Sequence, residues 1–286
     1  MPDDCQSSYE PSFRNLAEGR LLALSNKQLY SSQVCFYNNL NIYEIHDILQ
    51  TGKGDLAMIT IGCFHAHYSN IALIEEKLAD HEVELVHYVD PGLDRLKHDA
   101  DFSDAVIHQK VAQTLRWIAE CHADAILVTC TLFATVLEQE ATQVPVPVIG
   151  IDDPLLQEMR RVPGDYIIAF TNPATIEGTM TRVNQAVQQE DENGQPYVAN
   201  TYQTEAVCIP GTFELIMRGD QQGYLEAVRE GLQQIAEQYP GKTVVAAQLS
   251  MAPAAAQVTA DTGIAIHTPL ALLTAYLEKN LGIALQ

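Results

Sequence analysis

Four short stretches of this chain, at 56–62, 125–130, 166–171 and 243–248, are apolar at almost every position. A strand with one wet face alternates apolar and polar residues. An unbroken apolar run of this length instead fits a strand buried on both faces, as in a parallel sheet covered by helices. Between these runs the spacing changes. Residues 70–79 (Ile71, Ile74, Leu78) and 104–122 (Val106, Val111, Leu115, Ile118) recur with helical period. Further helices are expected over 131–140, 173–189, 221–238 and 269–281, the second of these opened by Pro173 where a missing N–H costs nothing. Further strands are expected at 83–89, 145–151, 205–209 and 263–267. Strand–helix alternation of this kind implies an α/β fold.

The rhythm runs twice. The run at 56–62 corresponds to that at 166–171, and 125–130 to 243–248. The expected architecture is two similar lobes related by a pseudo-twofold, each a parallel sheet flanked by helices, with an active-site cleft between them. A length of 286 residues exceeds what one core usually supports. The expected divisions are an N-terminal extension at 1–50, lobe one at 51–155 and lobe two at 156–268. The C-terminal helix in 269–286 is expected to pack back on lobe one. Open parallel sheets bind ligands beyond the carboxyl ends of their strands, so the strand ends are where functional residues are sought.

Charge removes several classes of partner. Lys and Arg total 16 against 37 Asp and Glu, a formal charge of −21. Such a surface repels nucleic acid and anionic membranes. It leaves open a small anionic substrate held by local N–H groups. Six cysteines are dispersed with no Cys-x-x-Cys pair, which argues against a disulfide scaffold or a zinc ribbon. No basic-then-apolar leader pattern and no bilayer-length apolar run occurs. A cytoplasmic protein is expected, with a homo-oligomer, a dimer first, expected on general grounds.

Three strand ends carry chemistry-bearing residues. Cys130 closes an apolar run just before an expected helix, whose N-terminal amides would favour a thiolate; the plain alternative is a small buried hydrophobe. Thr131 follows it. In Thr171-Asn172-Pro173-Ala174-Thr175 the hydroxyls and helix amides suit an anion, or simply cap a helix. In Gly62-Cys63-Phe64-His65-Ala66-His67, Cys63, His65 and His67 are metal-capable, but no second cluster completes a ligand set, so no metal is expected. His65 is better read as a proton donor or a wall of the cleft. There is no Walker loop, dinucleotide fingerprint, His-Glu-x-x-His or Gly-x-Ser-x-Gly.

Val86-His87-Tyr88-Val89-Asp90, Val128-Thr129-Cys130-Thr131 and Ala169-Phe170-Thr171-Asn172-Pro173-Ala174-Thr175-Ile176, in this order and spacing, resemble the aspartate/glutamate racemase superfamily. The resemblance covers about residue 55 to the C-terminus. It implies two α/β lobes around a site that works without a cofactor, in which a cysteine from each lobe moves protons on opposite faces of the substrate α-carbon. The superfamily also holds hydantoin racemases, maleate isomerases and arylmalonate decarboxylases. Cys130 matches the first cysteine. Gln248 stands where the second belongs, and an amide accepts no proton at neutral pH. What the resemblance implies is a racemase- or isomerase-type enzyme acting next to the carboxylate of a small acid or amino acid. Cys130, His65 and Gln248 would be catalytic, and Cys63, Thr131, Thr171, Asn172, Thr175 and Ser250 would bind substrate. A one-cysteine decarboxylase or lyase, or a small-acid-binding relative without activity, are the alternatives.

Overall fold

The computed structural model describes residues 58–96, 99, 102–188 and 203–285. The expected extension at 1–50 and the polar loop near 190–195 lie outside them. Eight strands form two four-stranded sheets. Sheet one holds β1 (Ile59–His65), β2 (Val83–Val89), β3 (Ala125–Val128) and β4 (Val148–Gly150) in the order β2-β1-β3-β4. Sheet two holds β5 (Tyr166–Phe170), β6 (Thr204–Cys208), β7 (Thr243–Ala246) and β8 (Ile266–His267) in the order β6-β5-β7-β8. Every pairing is parallel, as the unbroken apolar runs require. The two orders superpose strand for strand, so β1 answers to β5 and β3 to β7.

The helices are α1 (Asn70–Leu78), α2 (Gly92–Leu96), α3 (Asp104–Glu120), α4 (Thr131–Ala134), α5 (Leu137–Glu140), α6 (Asp153–Arg161), α7 (Ile176–Gln188), α8 (Thr212–Met217), α9 (Gln221–Gln238), α10 (Ala252–Thr262) and α11 (Pro269–Leu281). They cover both faces of both sheets. On sheet one, Phe64, Ile126 and Val128 pack under α3, while Ile61, Cys63 and Leu127 pack under α1 and α11. On sheet two, Ile167, Ala169 and Val244 pack under α9 and α10. Its other face, with Ile168, Phe170 and Val245, packs under α6 and α7. The last helix, α11, thus returns to sheet one through Leu273, Leu277 and Leu281. Its counterpart α6, which follows β4, crosses to sheet two through Leu155, Leu156 and Met159. The boundary expected at 155 falls inside α6.

Two departures from expectation shape the site. β1 ends at His65 rather than at Gly62, because its pairing with β2 continues through Cys63↔His87 to His65↔Val89. The helix expected over 131–140 is two separate turns, α4 and α5. Thr135 lies between them and donates its hydroxyl to the Leu132 carbonyl at 2.7 Å. Such local bonding competes with the helical backbone ladder. Helices α6 and α10 were not foreseen. In α10 the buried face is largely alanine (Ala252, Ala254, Ala255, with Val258) and Ala256 and Ala260 lie on its exposed face, so the apolar–polar contrast that makes a helix legible is weak.

Candidate active site

Three strand ends meet at one cavity. Past β3, β5 and β7 the chain leaves each sheet with nearly the same backbone: Cys130 at φ −102°, ψ 120°, Asn172 at −109°, 108° and Gln248 at −106°, 142°. Each opens a helical turn. The register makes two of them equivalent. Cys130 lies two residues beyond Val128, which pairs with Phe64 of β1, and Gln248 two beyond Ala246, which pairs with Ala169 of β5. Cys130, Thr131, Asn172, Thr175, Gln248 and Ser250 all line the cavity, which encloses about 100 Å³. One water needs roughly 10–15 Å³ by this measure, so the space suits a molecule of several heavy atoms. Among the described residues the lining carries no Asp, Glu, Lys or Arg.

Of the expected site residues, Cys63, His65 and Thr171 are not in the lining of this cavity. Cys63 is fully buried under α1 and α11, and burial pushes its thiol up to about 12. His65 is also fully buried, its Nδ1 2.7 Å from Thr129 Oγ1 and its Nε2 2.9 Å from His87 Nδ1. Burial, and then the neighbouring His87, lower its pKa to about 4. Both residues fall inside the sheet because β1 runs three residues further than its apolar run suggests. The short α4 likewise supplies Cys130 with a single turn of aligned amides, not the long helix foreseen.

Gln248 is not poised for proton transfer; it ties the strand ends together. Its Oε1 accepts from Thr171 N and Thr171 Oγ1, both at 2.7 Å, and from Asn172 N at 3.3 Å, while its Nε2 donates to Thr175 Oγ1 at 3.3 Å. This knot sets the direction of a longer chain. Because the Thr171 hydroxyl donates to Gln248, its 3.3 Å contact with Tyr224 needs the phenol as donor. The 2.7 Å contact between Tyr224 and Ser250 then needs Ser250 to donate. A hydroxyl has one proton and two lone pairs. Ser250 therefore meets the cavity as an acceptor. Asn172 Oδ1 accepts from Ala174 N at 3.1 Å, so this side chain also caps the turn that follows it.

Sequence reasoning missed Tyr224, which lies mid-pattern in an ordinary amphipathic helix, α9. It also missed Asn70, Ser69 and His67 as wall residues. His67 Nδ1 accepts from Ser69 N at 3.2 Å and lies 2.7 Å from Ser69 Oγ. With that nitrogen taken as an acceptor, the ring proton sits on Nε2. His67 is then a hydrogen-bond donor rather than a base.

No protein-family model and no curated protein matches the sequence. Solved structures do match the fold. An aspartate racemase from Picrophilus torridus aligns at 11% identity over 80% of this chain and 96% of its own, with a TM-score of 0.57. An aspartate racemase homologue from Pyrococcus horikoshii OT3 aligns at 12% identity over 78% and 100%, with a TM-score of 0.55. A glutamate racemase from Thermus thermophilus, solved with beta-chloro-D-alanine, aligns at 17% identity over 79% and 82%, with a TM-score of 0.54. This is an α/β protein of two lobes facing each other across their strand ends. Its fold is the one seen in these racemase structures.

Proposed function

We propose that this chain is an isomerase-type enzyme that moves a proton at the carbon next to a carboxylate of a small acid, and that Cys130 is the group that moves it. The observation that carries the reading is the position of Cys130. It closes β3 at a small cavity without charged walls, where a thiolate would face substrate in low dielectric. Thr131 and the Nε2–H of His67 supply donors for a carboxylate, and preorganised donors of this kind stabilise charge developing on its oxygens. Ser250, as an acceptor, suits a substrate that also carries a donor, such as the ammonium of an amino acid. The reading needs no cofactor.

A one-sided variant is favoured by a specific observation. Gln248 occupies the position equivalent to Cys130, and its amide is committed to Thr171, Asn172 and Thr175. His67 has its Nδ1 lone pair engaged. That leaves Cys130 as the proton-transfer group of the described lining. One thiol serving one face is the arrangement a decarboxylase or lyase needs, since it protonates a planar intermediate from a single side.

The test is proton NMR in D₂O with wild type and Cys130→Ser over small amino acids, hydroxy acids, malonates and maleate. Cys130-dependent deuterium entry with inversion identifies an isomerase. Loss of carbon dioxide with one-face deuteration identifies the lyase variant. Ligand binding with no Cys130-dependent exchange or product across the panel would overturn the enzyme reading in favour of a binding protein.

A further inference from the structure

The pairing of β1 with β2 creates a cluster that neither strand shows alone. Cys63 and His65 alternate onto the α1 face of β1, and His87 of β2 pairs directly with Cys63. The Cys63 thiol and one ring nitrogen each of His65 and His87 lie within 4.8 Å of one another. This separates the cluster from the cavity, because neither Cys63 nor His65 reaches the lining.

Hydrogen-bond bookkeeping fixes which nitrogens face inward. Thr129 Oγ1 donates to the Phe64 carbonyl at 3.3 Å and accepts from Asn70 Nδ2 at 3.3 Å. Its remaining lone pair therefore accepts from His65 Nδ1–H at 2.7 Å, and His65 Nε2 is a bare lone pair. It points at His87 Nδ1, 2.9 Å away. If His87 donates there, its other nitrogen, Nε2, is left as a second lone pair. That atom is buried without a hydrogen-bond partner and lies 3.7 Å from a carboxylate oxygen of Glu75. Two acceptors then face each other.

We propose that Cys63 Sγ, His65 Nε2 and His87 Nδ1 hold a divalent ion of the zinc class, with a water or another small ligand completing the set. One thiolate and two imidazoles match the preference of zinc and cobalt for sulfur and nitrogen. Every atom then has a role. His87 carries its proton on Nε2, directed at Glu75, and His65 carries its own on Nδ1, directed at Thr129. These are the outer-shell bonds that orient metal-binding histidines. Tetrahedral bonds of about 2.0–2.1 Å would set the two nitrogens about 3.3 Å apart, an opening of about 0.4 Å. Binding replaces the Cys63 thiol proton by the ion and releases that proton. The ion is structural. It clamps β1 to β2 behind Thr129, the residue before Cys130.

The experiment titrates the full chain, stripped by chelator, with Co²⁺ alone and reads the thiolate-to-cobalt charge-transfer band. One equivalent should produce the band in wild type. Cys63→Ser should abolish it while its circular dichroism stays native. Glu75→Gln should weaken binding about 10-fold, as loss of an outer-shell partner does. His87→Gln, a half-buried site, gives a second test should Cys63→Ser not fold, and it too should lose the stoichiometric band. No saturable band in wild type, or a band that survives in Cys63→Ser or His87→Gln, would overturn the site.

Discussion

The side-chain oxygen of Gln248 accepts both the backbone N–H and the hydroxyl of Thr171, each at 2.7 Å. Three donors converge on that oxygen from a strand end in which Thr171 is only 3% exposed. A buried donor left without a partner costs about 1–3 kcal/mol. Gln248→Ala is therefore expected to lose at least about 2 kcal/mol in urea unfolding. Gln248→Glu keeps an oxygen at the same place and should recover most of that loss. Equal stability of Gln248→Ala and wild type would show that water satisfies these groups.

Tyr224 links that knot to the cavity. Its hydroxyl passes a proton direction from Ser250 to Thr171. Tyr224→Phe should cost about 1 kcal/mol for the lost hydrogen bonds. It also frees the Ser250 hydroxyl to turn and donate. A ligand that binds through an ammonium should then lose affinity relative to its deaminated analogue, read by calorimetry with the two compounds in parallel. Parallel changes for both would show that Ser250 does not face the ammonium.

How much was legible in the chain follows from the physics of each element. The apolar runs revealed the parallel sheets because strands buried on both faces have no polar residue to interrupt them. Cys130 was visible because it ends such a run. That β1 continues through Cys63 to His65 was not legible, because His65 is a polar residue carried inside a strand by bonds to Thr129 and His87, partners 64 and 22 residues away. No local pattern records those bonds. His87 escaped notice for the same reason: only strand register places it beside Cys63. The hydrogen bonds of Gln248 were not legible either, since their donors come from another strand end.

Arg182 of α7 reaches the end of β4. It pairs with Asp152 and, at 2.6 Å, with Asp153, whose other oxygen accepts Gly150 N–H at 2.7 Å. Burial first, and then the neighbouring Asp152, push the Asp153 carboxyl up, and Arg182 opposes both. Arg182→Met would strand two carboxylates with no cation, and breaking a buried pair costs about 3–5 kcal/mol. An acid whose folded pKa is raised binds its proton more readily folded than unfolded, so its penalty shrinks as pH falls. The deficit of Arg182→Met should thus be smaller at pH 5 than at pH 7 in urea unfolding. A deficit that grows on acidification would contradict this electrostatic origin.

Gly178 of α7 sits against Thr135, the residue that separates α4 from α5. A Cβ at Gly178 would lie 2.3 Å from Thr135 Cγ2 and 3.2 Å from its Cβ. The first distance is a clash; the second asks for a shift of a few tenths of an ångström. Gly178→Ala should therefore cost about 1–3 kcal/mol, the usual range for overpacking. It should also push the segment that begins at Cys130. Thr135→Ser removes Cγ2 and keeps the hydroxyl that bonds Leu132. In the double variant, stability should return to within about 1 kcal/mol of wild type, a coupling that only contacting residues show. If the two changes were simply additive, Thr135 would not be what holds position 178 to glycine.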